Sequence, residues 1–122
     1  VAVFANRIAA LEGGVVACAT ASGTSAVLIT MLSLTSKGDN FVSASTVHGG
    51  TYHTYKKLAP QLGLEGRFVS TNNAEDFAIQ IDSKTKFLFV ESISNPKYDV
   101  PDFAMLARIA HDNGIPLVVS FV

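Results

Sequence analysis

The chain has 122 residues, 48% of them hydrophobic and 16% charged, with 9 Lys+Arg against 10 Asp+Glu. That length holds one domain rather than two, the apolar content excludes disorder for most of the chain, and the near balance of charge without any basic run excludes a nucleic-acid footprint. A single cysteine, Cys18, excludes a disulfide framework and a cysteine-based zinc site. No apolar run approaches the ~18 residues of a membrane span.

In chain order, residues 6–12 have helical composition and are stopped by Gly13-Gly14. Residues 15–21, small and apolar, suit a buried strand or tight extended segment, with Cys18 as a buried thiol. Residues 24–34 read as a helix whose faces are almost all apolar, hence buried on most sides. Residues 37–40 form a turn and 41–44 a short strand. Gly49-Gly50 precedes a helix over 51–62 that Gly63 stops, with Pro60 kinking it or ending it early. A brief strand over 67–69 is followed by a helix through Phe77 to Ile81, capped by Asn72 or Asn73. Asn73 with Asp76 imitates a capping box.

Residues 86–90 (KFLFV) are a strong strand. Pro101 is expected just inside a helix over 102–113, with Gly114 at its end, and residues 115–122 form a further apolar strand. Apolar strands alternating with helices predict an α/β fold, a mostly parallel sheet with helices on both faces. The charged fraction is below the ~25% usual for a free-standing domain, and the last strand ends without cover. Both features lead us to expect part of a longer protein. No basic segment followed by an apolar core opens the chain, so a cytoplasmic location is expected.

Three segments have the composition of a site. Ala21-Ser22-Gly23-Thr24-Ser25 opens a helix after an extended segment, where free N–H groups, the dipole and the hydroxyls of Ser22, Thr24 and Ser25 favour a phosphate; an ordinary N-cap at Ser22 is the alternative. His48-Gly49-Gly50-Thr51-Tyr52 lies between a strand and a helix, and a flat imidazole there suits stacking on a planar ligand or a plain glycine turn with a surface histidine. Glu91 to Pro96 follows KFLFV at the C-terminal end of a strand, where open α/β sheets bind ligands; a loop with a carboxylate at its base is the alternative. His53 and His111 fit structural roles, and the histidines fall in no metal-ligand spacing.

At these residues the chain resembles the Cys/Met-metabolism family of pyridoxal-phosphate (PLP) enzymes, the trans-sulfuration enzymes of fold type I. The resemblance runs from Arg7 through Ala21-Ser22-Gly23, Gly38-Asp39-Asn40, Gly49-Gly50-Thr51-Tyr52, Glu91-Ser92 and Asn95-Pro96 to Gly114-Ile115-Pro116-Leu117-Val118-Val119. Thr51-Tyr52, Gly63-Leu64-Glu65 and Asn95-Pro96-Lys97-Tyr98 look most like the O-acetylhomoserine sulfhydrylase branch. Cystathionine γ-synthase, cystathionine lyases and methionine γ-lyase are the other members it could represent. The resemblance implies that residues 1–122 are part of a PLP-binding large domain, truncated at both ends. It also implies an amino-acid substrate in the full-length protein and homotetramers.

By resemblance, Ser22, Gly23 and Thr24 hold the PLP phosphate, and His48 stands where a stacking Tyr is usual. Asn95 lies near the cofactor's 3′ oxygen, and Glu91 marks the same strand end. Ser120 replaces the Asp that binds the pyridine nitrogen, and no lysine sits in the context of the one that carries the cofactor. The chain alone is therefore expected to be catalytically incomplete. A non-enzymatic remnant that associates with full-length relatives or with itself is a second reading.

Overall fold

The computed structural model describes residues 1–94 and 96–121. Helix α1 spans Ala2–Glu12, starting earlier than the sequence indicates. Gly13 ends it at φ 66°, a left-handed conformation that glycine adopts without strain. The N–H groups of Gly13 and Gly14 bond back to the carbonyls of Ala10 and Ala9.

The segment after α1 corrects the expected buried strand. Residues 15–21 pair with no strand, and Val15, Val16 and Cys18 are exposed. The physical reason is that most of this segment's small side chains are exposed and add little burial, so composition alone did not make it a strand. Helix α2, Gly23–Leu34, follows. It buries only Met31, while Ile29 and Leu32 are about half exposed at 49% and 48%. Its expected burial on most sides is thus corrected to one flank, the flank resting on the sheet.

Four strands make one parallel sheet in the order β2-β1-β3-β4. They are β1 Asn40–Ala44, β2 Glu65–Val69, β3 Thr85–Glu91 and β4 Leu117–Ser120. The last is shorter than expected, and Val122 lies outside the described residues. Period-two alternation splits β3 between two cores. Phe87 and Phe89 pack with Met31, Phe41, Tyr55 and Ala59 on one face. Leu88 and Val90 pack with Val42, Phe77, Leu106 and Ala110 on the other. The predicted α/β architecture, a parallel sheet between helices, is therefore present.

The first core is aromatic. Phe41 and Phe87 stack at 4.8 Å with a 5° interplanar angle, and Tyr55 meets Phe89 edge-on at 5.2 Å. Tyr55 comes from a helical run that changes pitch. α3, Gly49–His53, continues as a π-helical turn, Thr54–Leu58, and then as α4, Ala59–Gln61. Proline lacks an N–H and its ring crowds the carbonyl four residues back. In the widened turn the Ala59 N–H reaches the Thr54 carbonyl, and the helix passes Pro60 instead of ending early.

On the second face lie α5, Ala74–Gln80, and α6, Phe103–Asp112. Asn73 caps α5 by accepting from the Glu75 N–H at 3.1 Å. The capping box does not form, because Asp76 engages the Thr71 hydroxyl rather than the Asn73 N–H. Asp102 caps α6, accepting from Met105 N–H at 3.0 Å, so Pro101 stands before the cap, not inside the helix. No described helix is long and apolar enough to cross a membrane.

A polar cluster ties the strand starts together at the end opposite the ends of β3 and β4. Asn40 Nδ2 donates to Asp82 at 2.9 Å, the Thr85 hydroxyl donates to Asn40 Oδ1 at 2.6 Å, and Arg67 pairs with Asp82 at 2.9 Å.

Candidate functional site

In a parallel sheet every strand ends on the same edge, and the helices that follow begin there. Here the ends of β3 and β4 meet the N-termini of α2 and α3. Glu91 and Ser120 are register partners, and Ser92 N–H donates to the Ser120 carbonyl at 2.8 Å. By strand alternation both point to the aromatic face, the side on which α2 and α3 lie. The result is an open cleft of about 220 Å³ bordered by Gly23, Thr24, His48, Glu91 and Ser120, with Val27, Thr51 and Phe121 completing it. Three segments distant in sequence, each chosen from composition, converge on this one space.

The α2 end satisfies two readings at once. Ser22 is an ordinary N-cap: its Oγ accepts from Ser25 N–H at 3.1 Å and its carbonyl accepts from Ala26 N–H at 3.0 Å. Those bonds use Ser25 and Ala26 only. The N–H groups of Gly23 and Thr24 have no acceptor among the described residues, at the positive end of a 12-residue helix. A Cβ built on Gly23 meets nothing within 4 Å, so the backbone there is open to a ligand. Ser22 itself does not border the cleft, because its hydroxyl is committed to the cap and to Ser25 Oγ at 2.9 Å.

His48 caps α3. Its Nδ1 accepts from the Gly50 N–H at 3.1 Å, and the ring lies so close to Gly50 that a Cβ there would sit 3.2 Å from it. The second glycine of Gly49-Gly50 therefore makes room for the imidazole. The backbone N–H of His48 in turn donates to Glu91 Oε1 at 2.6 Å. Glu91 is 2% exposed, and its Oε2 has no partner among the described residues. Asn95 lies outside the described residues.

Thr51 belongs to the second candidate segment, whereas Val27 was read only as an apolar helix residue, although it lies one helical turn beyond Gly23. That spacing was the available signal. An adjoining groove of about 270 Å³ runs from the cleft along α2 and β4, over Val27, Phe89, Val118 and Phe121. Among the described residues no lysine borders the cleft, and His53 and His111 are exposed elsewhere.

The sequence and the fold are similar to those of known proteins. The chain is 50% identical over 118 residues to a sulfhydrylase of Fusarium oxysporum f. sp. lycopersici, covering 97% of this chain and 27% of that protein. It is also 50% identical over 118 residues to a homocysteine synthase of Schizosaccharomyces pombe, covering 97% of this chain and 28% of that one. The structure superposes on the O-acetylhomoserine sulfhydrylase of the methionine biosynthetic pathway of Wolinella succinogenes with a TM-score of 0.90 at 36% identity. That match covers 94% of this chain and 33% of the other. The chain thus spans between a quarter and a third of the length of these relatives. The sequence profile of the Cys/Met metabolism PLP-dependent enzymes matches residues 1–121, and the chain belongs to that family.

Proposed function

We propose that this chain is part of the cofactor-holding domain of a PLP-dependent sulfhydrylase, in which sulfide or a thiol replaces the γ-acyloxy group of an O-acylated homoserine. The observation that carries the reading is the single cleft where the free N–H groups of α2, the His48 ring, Glu91 and Ser120 meet. The sulfhydrylase and homocysteine synthase relatives favour this reaction over the lyase branches.

The residues present fit the phosphate and one wall of PLP. The Gly23 and Thr24 N–H groups and the Thr24 hydroxyl suit a phosphate. His48 borders the space beside them as a flat wall, smaller than a phenol ring. When bound, PLP supplies an electron sink for chemistry at the α and β carbons of an amino acid. Ser120 offers one neutral hydroxyl at the cleft floor, which orients a ring nitrogen but cannot stabilise charge on it as a carboxylate would. With no lysine in the lining, these residues hold the group by non-covalent contacts. They supply binding and orientation, and the remaining catalytic groups belong to the full-length protein. Residues 1–122 would then be one portion of a larger domain, in a protein that assembles as homotetramers.

The test is binding of pyridoxamine 5′-phosphate, which has no aldehyde to react with surface amines, followed by calorimetry. Gly23→Val places a branched side chain at the α2 terminus, where its Cβ meets nothing within 4 Å. The variant should fold and bind at least about tenfold more weakly, a loss of ~1.4 kcal/mol. Unchanged affinity in the folded variant would show that the phosphate lies elsewhere.

A further inference from the structure

The two oxygens of Glu91 have unequal surroundings. Oε1 accepts the His48 N–H at 2.6 Å, joining the end of β3 to a loop 43 residues away in sequence. Oε2 is buried and unpartnered among the described residues, in a side chain that borders the cleft and whose backbone pairs with Ser120. Burying a carboxylate oxygen without a donor costs free energy. A group kept there at that cost is accounted for by what it holds on one side and what it awaits on the other.

We propose that Glu91 is the positioning residue of the cleft: through Oε1 it fixes the backbone of His48, and through Oε2 it accepts a hydrogen bond from a donor on the ring of the bound ligand. This rests on reading the cleft as the PLP site. The imidazole is held from two directions. Gly50 N–H binds Nδ1 and sets the ring, while Glu91 binds the main-chain N–H and sets the loop that carries it. Loss of the Glu91 bond frees the loop, and the wall that faces the ligand moves with it. The phosphate, held at Gly23 and Thr24 on α2, is contacted by neither bond. Glu91 therefore acts on the ring half of the ligand and not on the phosphate half.

That division sets the experiment. Two probes, pyridoxamine 5′-phosphate and ringless inorganic phosphate, are titrated into the wild-type protein, Glu91→Gln and Glu91→Ala, while the His48 backbone amide is followed by NMR. In Glu91→Ala the His48 amide proton should leave its strongly hydrogen-bonded, downfield position. Affinity for pyridoxamine 5′-phosphate should fall by about tenfold or more, with phosphate affinity held within about twofold. Glu91→Gln keeps an acceptor for His48, so the amide should stay downfield. Its NH2 in place of Oε2 should still weaken the ring-bearing probe, and this variant carries the test if Glu91→Ala does not fold. Equal losses for both probes in a folded variant, or an unmoved His48 amide in Glu91→Ala, would overturn the proposal. A wild-type protein that binds neither probe would overturn the proposed function and the ligand half of this inference, and the His48 amide would still decide the positioning half.

Discussion

Asp82 shows how one side chain at the far end of the sheet sets a pH limit on the fold. Hydrogen bonds from Asn40 Nδ2 and the Lys84 N–H, followed by Arg67, hold its carboxyl at about 2, against an ordinary value of 3.8. The folded value is the lower one, so the contribution to stability is complete above the unfolded value. It is lost as pH falls from 3.8 through about 2. Wild-type protein should therefore lose stability across that window, measured by urea midpoints at successive pH, and Asp82→Asn should show a flatter profile there. An identical acid slope in both proteins would contradict the assignment. At the same scale, Gly23, Thr24, His48 and Glu91 were legible in the sequence as residues at strand ends and helix starts, whereas Ser120, expected inside a strand over 115–122, stood out only through the family resemblance. The bond from His48 N–H to Glu91 was not legible, because a main-chain donor leaves no trace in residue type.

At the scale of elements, the strands were legible because a parallel strand buried on both faces is a continuous apolar run. The same logic misread residues 15–21, since small apolar composition does not distinguish a strand from a segment that lacks a packing partner. At Pro60 only the early-ending alternative fails, since the helical run changes pitch beside it and continues to Gln61. Proline signals a break, but a widened π turn accommodates it and delivers Tyr55 to the aromatic core. β2 must then pass close beneath that turn, and Gly66 allows it. A Cβ on Gly66 would lie 3.0 Å from the Tyr55 carbonyl and 3.1 Å from the Phe41 ring. Neither can retreat, one being backbone and the other fully buried. Gly66→Ala should therefore destabilise the fold by about 1–3 kcal/mol despite the better strand propensity of alanine, read as a lower urea midpoint at unchanged slope. A midpoint at or above wild type would show that the close approach is not maintained.

For the whole molecule, the arrangement places two functions at opposite ends of one sheet. The polar cluster at Asn40, Asp82 and Thr85 ties the strand starts, and the cleft opens where β3 and β4 end. Val3, Phe4, Leu11, Val15 and Val16 are exposed around α1 and the segment after it, and the chain covers only 27% of the Fusarium relative. The sequence could not show which flank of α2 is packed, because an evenly apolar helix carries no directional signal.

The central claim is that the α2 terminus, the His48 loop and the β3–β4 ends act together as one phosphate-and-ring site. It is tested most directly by mapping backbone amide shifts while pyridoxamine 5′-phosphate is added. We predict saturable shifts at Gly23, Thr24, His48 and Ser120 with one common dissociation constant, and none at the Asn40–Asp82 end. Shifts confined to exposed lysine segments, or different constants at Gly23 and His48, would contradict a single site.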